Sequence, residues 1–186
     1  MIPSPLYAPF WSEVIPGLSS PMKRNWLLRS GALTEALRNL GRLELQVVDE
    51  YPCEAALDEA SALGGMRGER VWIREVLMRV DGQFVVAARS VARLAAVYGA
   101  WKGMRELGDR PLAEILYHDH SIARSDFALT CVQSPLALHA VLQRLNPDWV
   151  ARPDLLARRS VFLRQGQSLL VSECFLPDFW GMVRWV

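Results

Sequence analysis

The alternation of apolar and polar positions along the chain predicts strands more clearly than helices. Four alternating segments fall into two pairs, each separated by two residues: 71–80 with 83–91, and 158–164 with 167–175. Asp81-Gly82 joins the first pair, and Asp-Gly between alternating runs is among the strongest short signals for a β-hairpin. Gln165-Gly166 joins the second pair. We therefore predict two antiparallel hairpins.

Apolar residues spaced three or four apart predict the helices that interrupt these strands. The helical segments are 32–40, 92–107 and 135–145, with a short helix after Pro111 and a short helix or loop at 53–65. Further alternating runs at 42–48 and 125–132 are predicted to be strands. Hairpins interrupted by helices are typical of an α+β fold with an antiparallel sheet. We expect a single domain over residues 1–186, with the proline-rich residues 1–25 as an irregular arm.

The amino-acid composition excludes several classes of protein but does not identify the function. Of the 186 residues, 51% are hydrophobic, which is enough for a packed core. The net charge of +1 gives no general attraction to nucleic acid or membranes, and no run of about 18 apolar residues predicts a membrane span. Cys53, Cys131 and Cys174 lack the paired spacing of a disulfide framework or zinc site. We therefore expect reduced thiols, a cytoplasmic protein and no metal.

One carboxylate falls on an apolar strand face. In the segment LLVSECFLP (Leu169–Pro177), alternation places Glu173 among apolar neighbours. An isolated ionised carboxylate in a core is strongly unfavourable. Counting outward from Gln165-Gly166 places Glu173 opposite Arg158, so a cross-strand salt bridge is one interpretation. The other is that Glu173 faces a ligand.

Two arginines fall on an apolar face of the first hairpin. If Asp81 and Gly82 are its only loop residues, Arg74 lies directly opposite Arg89. Like charges in that arrangement destabilise a sheet, and arginine does not give up its proton. Either each guanidinium reaches the sheet edge or a nearby acid, or the pair binds a small ligand with two acidic groups.

Four motifs, in order along the chain, resemble the chorismate pyruvate-lyase family. They are NWLLRSGALTEAL (Asn25–Leu37), WIREVLMRVDGQFVVAARSV (Trp72–Val91), LGDRPLAEILY (Leu107–Tyr117) and ARRSVFLRQGQSLLVSECFLP (Ala157–Pro177). The second is similar to the family's Trp-x-Arg-Glu strand, with its Asp-Gly turn and an arginine on the return strand. The third resembles its Leu-Gly-x-x-Pro-Leu segment, and the fourth resembles its last hairpin. Residues 178–186 match no part of the family's pattern.

The resemblance implies a six-stranded antiparallel sheet with helices around an enclosed site. It also implies an enzyme without metal or organic cofactor that eliminates pyruvate from chorismate, leaving 4-hydroxybenzoate for ubiquinone biosynthesis.

By position, the resemblance assigns roles to five residues. Arg74 matches the arginine that holds the ring carboxylate. The implied catalytic residues are Arg89, at the enolpyruvyl carboxylate, and Glu173, at the ring hydroxyl. Leu33 and Leu112 match positions whose backbone borders the site beneath mobile flaps.

Two other functions stay open on sequence alone. A non-catalytic module of the same fold would bind an aromatic acid without converting it, like the ligand-binding domains of some bacterial transcription regulators. Residues 1–25 are too short for a helix-turn-helix domain, which favours the enzyme. A related lyase would act on a different cyclohexadiene carboxylate.

Overall fold

The structure, a computed structural model, describes residues 10–117, 119–152 and 155–185. The strands are β1 (Leu43–Glu54), β2 (Arg70–Val80), β3 (Gln83–Arg93), β4 (Ala123–Arg124), β5 (Ala128–Cys131), β6 (Leu156–Arg164) and β7 (Gln167–Phe175). The α-helices are α1 (Pro21–Leu28), α2 (Leu33–Arg38), α3 (Leu57–Ala62), α4 (Ala113–Leu116), α5 (Ala137–Leu145), α6 (Pro147–Val150) and α7 (Pro177–Met182). Short 3₁₀ helices cover Ala96–Tyr98, Lys102–Glu106 and Val183–Trp185. Within these ranges, no helix is long and apolar enough to cross a membrane.

All strands belong to one antiparallel sheet, in the order β1-β2-β3-β7-β6-β4, with β5 also paired to β6. The predicted α+β class is confirmed, but the predicted count of six strands is wrong because the sheet has seven. The strand predicted at 125–132 forms as the shorter β5, and the two-residue β4 precedes the predicted segment. Both pair with β6, β4 at Phe162–Leu163 and β5 at Leu156–Arg159, so they share one position beside it.

The hairpin turns form where the sequence predicts them. Asp81 and Gly82 have φ of 49° and 81°, and Gln165 and Gly166 have φ of 50° and 74°. Two successive positive φ angles match the right-handed twist of the flanking strands, and glycine adopts them without a steric penalty. The second hairpin keeps the predicted register, with Arg158 opposite Glu173.

The first hairpin contains a β-bulge that the pattern does not reveal. Its register is as predicted at Arg79, which lies opposite Phe84, but Met78 lies opposite Val86 and not Val85. The extra residue moves every later residue of β3 to the other face of the sheet. Arg74 therefore lies opposite Ser90, and Arg89 lies opposite Glu75. The prediction that Arg74 and Arg89 share one face is wrong.

Both faces of the sheet are covered. We call the side that carries Arg74, Ser90 and Glu173 the cavity face, and the side that carries Glu75 and Arg89 the opposite face. Helices α1, α2, α4 and α7 pack on the cavity face, while α3 and α5 pack on the opposite face. Because both sides of the sheet are covered, charged side chains on either face can be buried, as Arg74 and Arg89 are.

The helix predicted over 92–107 does not form. Strand β3 continues to Arg93, because Ala92 pairs with Trp72 on β2 and with Leu169 on β7. Two 3₁₀ helices follow, and Gly99, with φ of −124° and ψ of −111°, ends the first. Val97, Trp101 and Met104 are nevertheless buried, as the pattern predicts, but Tyr98, also predicted to face inward, is 65% exposed.

The two ends of the described chain are more regular than expected. Helix α1 begins inside the arm predicted as irregular, because Ser20 Oγ accepts a hydrogen bond from Lys23 N at 3.3 Å and Pro21 occupies the first turn. Residues 1–9 of that arm lie outside the described residues. At the other end, α7 buries Phe179 and Trp180 against Phe175, with ring centroids 4.9 and 5.2 Å away.

Candidate active site

A cavity lies between the cavity face of the sheet and the segments that cover it. It contains about 580 Å³ of empty space, counting its open mouth. Four of the five residues assigned from sequence line it: Leu33, Arg74, Leu112 and Glu173. They come from α2, β2, the turn before α4, and β7. The fold therefore brings together residues that are up to 140 positions apart in the chain.

Arg74 is held rigidly in the wall of this cavity. It is only 2% exposed, and its Nη1 donates to Glu50 Oε1 at 2.5 Å. Its Nη2 donates to the carbonyl oxygens of Gly108 at 2.7 Å and Arg110 at 3.1 Å. A guanidinium has five N–H donors, so these three bonds leave two for a ligand. The carboxylate of Glu50 and the loop carbonyls fix the orientation of that cation.

Glu173 forms the predicted salt bridge and also lines the cavity. Its Oε2 accepts a hydrogen bond from Arg158 Nε at 2.6 Å, so the cross-strand salt bridge exists. The same side chain lines the cavity. Within the described ranges, Oε1 has no protein partner and is available to accept a hydrogen bond from a ligand. The salt bridge orients the carboxylate and leaves one oxygen for binding.

Arg158 also anchors the helix that covers this part of the sheet. It is 1% exposed, and its Nη1 donates to the carbonyl oxygens of Trp26 at 3.2 Å and Arg29 at 2.9 Å. These carbonyls lie at the C-terminal end of α1, where backbone acceptors lack helical partners and the helix dipole favours a cation. One buried arginine therefore joins Glu173 to the end of α1.

The sequence reasoning missed Arg124, which also lines the cavity. Its Nε donates to Ser160 Oγ and its Nη1 to Tyr117 Oη, both at 2.9 Å. Its guanidinium carbon lies 4.1 Å from the ring centroid of Phe127. Burial lowers the pKa of Arg124 and raises the pKa of Tyr117. Strand β4 has only two residues, so no alternation marked Arg124 in advance.

Thr34 adds an unpaired polar group to the wall. It follows Leu33 in α2 and is 4% exposed. Among the described residues, its buried Oγ1 has no hydrogen-bond partner. Buried hydroxyls are usually paired, so this atom is a further candidate for contact with a ligand.

Arg89 lies on the opposite face and does not line this cavity. Its Nε donates to Glu59 Oε1 at 2.5 Å, and its Nη1 donates to Glu75, which also accepts from Arg144. Burial alone would lower the pKa of Arg89, but the adjacent Glu59 and Tyr51 raise it overall. The predicted contact between Arg89 and the second carboxylate of a ligand has no support in this geometry.

The described residues contain no cluster of three or more His, Cys, Asp or Glu side chains that could hold a metal ion.

Comparison with known sequences identifies relatives over nearly the whole chain. The sequence model of the chorismate lyase family matches residues 13–185. A probable chorismate pyruvate-lyase of Bordetella avium is 51% identical over 93% of this chain and 86% of its own length. A probable chorismate pyruvate-lyase 1 of Burkholderia pseudomallei is 41% identical over 92% of this chain and 91% of its own length. The match includes residues 178–185, so the expectation that the tail lies outside the family's pattern is wrong.

Solved structures share the fold at low sequence identity. PhnF from Mycobacterium smegmatis has a TM-score of 0.55 and 20% identity, over 81% of this chain and 66% of PhnF. The ligand-binding domain of a putative GntR-family transcriptional regulator from Bordetella bronchiseptica has a TM-score of 0.50 and 17% identity, over 74% and 87% of the two chains. At these identities the likeness concerns the fold alone. The family match and the sequence identities carry the assignment: the chain belongs to the chorismate lyase family.

Proposed function

We propose that this protein eliminates pyruvate from chorismate and leaves 4-hydroxybenzoate. The observation that carries the proposal is that Arg74 and Glu173 share the wall of one cavity in a chain of this family. Relatives at 51% and 41% identity are named as probable chorismate pyruvate-lyases.

The groups in the wall complement those of chorismate, which carries a ring carboxylate, a ring hydroxyl and an enolpyruvyl ether. The remaining N–H donors of Arg74 bind the ring carboxylate through charge-assisted hydrogen bonds. The open Oε1 of Glu173 accepts a hydrogen bond from the ring hydroxyl. Apolar side chains such as Val76 and Leu116 line the space between them and contact the ring.

The reaction balances without an oxidant, a reductant or water. The ether bond between the ring carbon and the enolpyruvyl oxygen breaks, and its electron pair leaves with the oxygen. The neighbouring ring carbon, which bears the hydroxyl, loses its proton, and the ring becomes aromatic. The released enolpyruvate takes up one proton to give pyruvate. The protein supplies orientation and charge stabilisation for this step.

We also propose that the product, 4-hydroxybenzoate, is used in ubiquinone biosynthesis and that the protein is cytoplasmic. Cys53, Cys131 and Cys174 form no disulfide with one another, which supports a reducing compartment.

The substitution Glu173→Gln tests the role of the open carboxylate oxygen. We expect kcat/KM for chorismate to fall by about 10- to 150-fold, the value of one hydrogen bond to a charged group. The amide oxygen still accepts from Arg158 Nε, but the buried Arg158 loses its counterion, so the melting temperature should also fall, and kcat/KM is compared at a temperature where both proteins are folded. The assay follows 4-hydroxybenzoate formation, with Glu44→Gln on β1 as the exposed control. Unchanged turnover and unchanged affinity for 4-hydroxybenzoate would show that Glu173 serves only the salt bridge.

A further inference from the structure

We propose that Arg124 binds the second carboxylate of the substrate, the one on the enolpyruvyl group. This inference rests on the proposed function and deepens it, because it names the residue that recognises the group to be expelled. It gives Arg124 the binding role that sequence position had assigned to Arg89.

Charge pairing distinguishes Arg124 from its neighbours. Arg74 forms an ion pair with Glu50, and Arg158 forms one with Glu173. In the part of the chain that the structure describes, Arg124 has hydrogen bonds to Ser160 and Tyr117 but no carboxylate partner. A partly buried cation without a counterion is unfavourable, and burial is the largest cause of the lowered pKa of Arg124. A ligand carboxylate would supply the missing negative charge.

The guanidinium of Arg124 is already oriented before a ligand binds. The hydroxyls of Ser160 and Tyr117 hold Nε and Nη1, and the rings of Phe127 and Phe162 flank the cation at 4.1 and 5.1 Å. Among the described residues, Nη2 makes no hydrogen bond, so its two N–H donors are available. A preorganised cation in a partly buried site binds an anion more strongly than a mobile surface arginine does.

The position of Arg124 relative to Arg74 suits a substrate with two separated carboxylates. Arg74 lies opposite Ser90, Ser90 opposite Val171, and Val171 opposite Ser160, to which Arg124 donates. The Cα atoms of Arg74 and Ser160 are therefore about 14 Å apart, three interstrand spacings. Arg74 and Arg124 line the same cavity, and Arg124 is bonded to a residue three strand spacings from Arg74 across the sheet.

Glu173 lies on the same side of the cavity as Arg124. It is two residues along β7 from Val171, and its charge raises the pKa of Arg124 against the larger effect of burial. In chorismate, the hydroxyl and the enolpyruvyl ether are on adjacent ring carbons, while the ring carboxylate is attached on the far side of the ring. A ligand with its ring carboxylate on Arg74 and its hydroxyl on Glu173 therefore directs the enolpyruvyl carboxylate towards Arg124.

The test compares two ligands that differ in the group that Arg124 binds. Chorismate has the enolpyruvyl carboxylate, and 4-hydroxybenzoate lacks it. For Arg124→Gln we expect kcat/KM for chorismate to fall by about 10- to 150-fold. We expect the Kd of 4-hydroxybenzoate, measured by calorimetry, to change less than about threefold. Arg124→Lys retains the charge and should recover part of the chorismate activity.

Arg105→Gln is the matched control, because Arg105 is an exposed arginine that also stacks on two rings, those of Trp72 and Tyr98. Equal losses for both ligands, or no loss for chorismate, would overturn the proposal. If Arg124→Gln does not fold, as judged by its melting curve, Arg124→Lys and Arg124→Met are compared with the same two ligands.

If the proposed function is wrong, the wild-type protein leaves chorismate intact, which distinguishes this outcome from failure of the proposal for Arg124. The Kd of chorismate is then measured in place of kcat/KM. Arg124→Gln must then weaken chorismate binding while leaving 4-hydroxybenzoate binding unchanged. A Kd of chorismate that does not change would overturn the proposal for Arg124 in that setting too.

Discussion

Replacing Arg89 by alanine is expected to lower the free energy of unfolding by about 3–5 kcal/mol, because it leaves buried charge without its partner. Glu59 and Glu75, which are 4% and 1% exposed, both pair with Arg89 on the opposite face. Glu75 retains Arg144, whereas Glu59 loses the only cation to which it is hydrogen-bonded among the described residues. For a chain of this size, the melting temperature should fall by about 6–20 °C.

Arg93→Ala is the matched control for this substitution. Arg93 lies on the same strand and pairs with Glu69, but both side chains are about one-third exposed. Exposed ion pairs contribute about 0–1 kcal/mol, so this variant should unfold close to wild type. If Arg89→Ala keeps wild-type stability and loses chorismate turnover, then Arg89 contacts the substrate as its sequence position suggested.

The destabilisation caused by Arg89→Ala should shrink as the pH falls. Burial raises the pKa of Glu59 even with Arg89 present, and removing Arg89 raises it further. A carboxyl whose pKa is higher in the folded state stabilises the fold below its unfolded pKa. That contribution is lost as the pH rises through the folded pKa. Urea unfolding of both proteins across the acidic range measures the difference, and a constant difference would argue against the unpaired carboxylates as its cause.

Replacing Arg74 by glutamine is expected to reduce kcat/KM for chorismate by about 30- to 5,000-fold. Truncating one member of a buried charge pair costs about 2–5 kcal/mol, and Arg74 would hold the ring carboxylate in such a pair. The product keeps this carboxylate, so the affinity for 4-hydroxybenzoate should fall as well. Loss of affinity for both ligands separates the role of Arg74 from the role proposed for Arg124.

Arg42→Gln controls for loss of an arginine near the same sheet, since the Arg42 side chain is 83% exposed and, among the described residues, pairs only with Glu44. Initial rates of 4-hydroxybenzoate formation and calorimetric titration with 4-hydroxybenzoate give the two quantities. A folded Arg74→Gln variant that binds 4-hydroxybenzoate as tightly as wild type would show that the ring carboxylate is bound elsewhere.

Local signals predicted the two hairpins and their turns correctly. The residues of Asp81-Gly82 and Gln165-Gly166 favour the positive φ angles that a two-residue turn requires, so they act over short distances along the chain. The register of the second hairpin followed directly from its turn, and so did the pairing of Arg158 with Glu173. Such features depend on neighbours in sequence and need no knowledge of the rest of the fold.

Local sequence signals did not determine on which face of the sheet Arg89 lies. The bulge lies in the run Phe84-Val85-Val86-Ala87-Ala88, where consecutive apolar residues fit either face of a sheet buried on both sides. In the register that is adopted, Arg89 forms ion pairs with Glu59 and Glu75. Those partners come from α3 and from the neighbouring strand, so tertiary packing decides the register.

Arg124 illustrates a second limit of sequence reasoning. Its strand is too short for a periodic pattern, and Tyr117, Phe127 and Ser160, which surround it, are up to 36 residues away in sequence. The resemblance to the family located Arg74, Glu173, Leu33 and Leu112 because those positions lie within its motifs. The structure was needed to show that Arg124 lines the cavity as a second cation beside Arg74.

The most direct test of the proposed function is incubation of the purified protein with chorismate while 4-hydroxybenzoate and pyruvate are measured separately. We predict that both products appear in equal amounts, and that Arg74→Gln slows both by the same factor. Binding of chorismate without either product would contradict the account and identify the protein as a binding module of this fold.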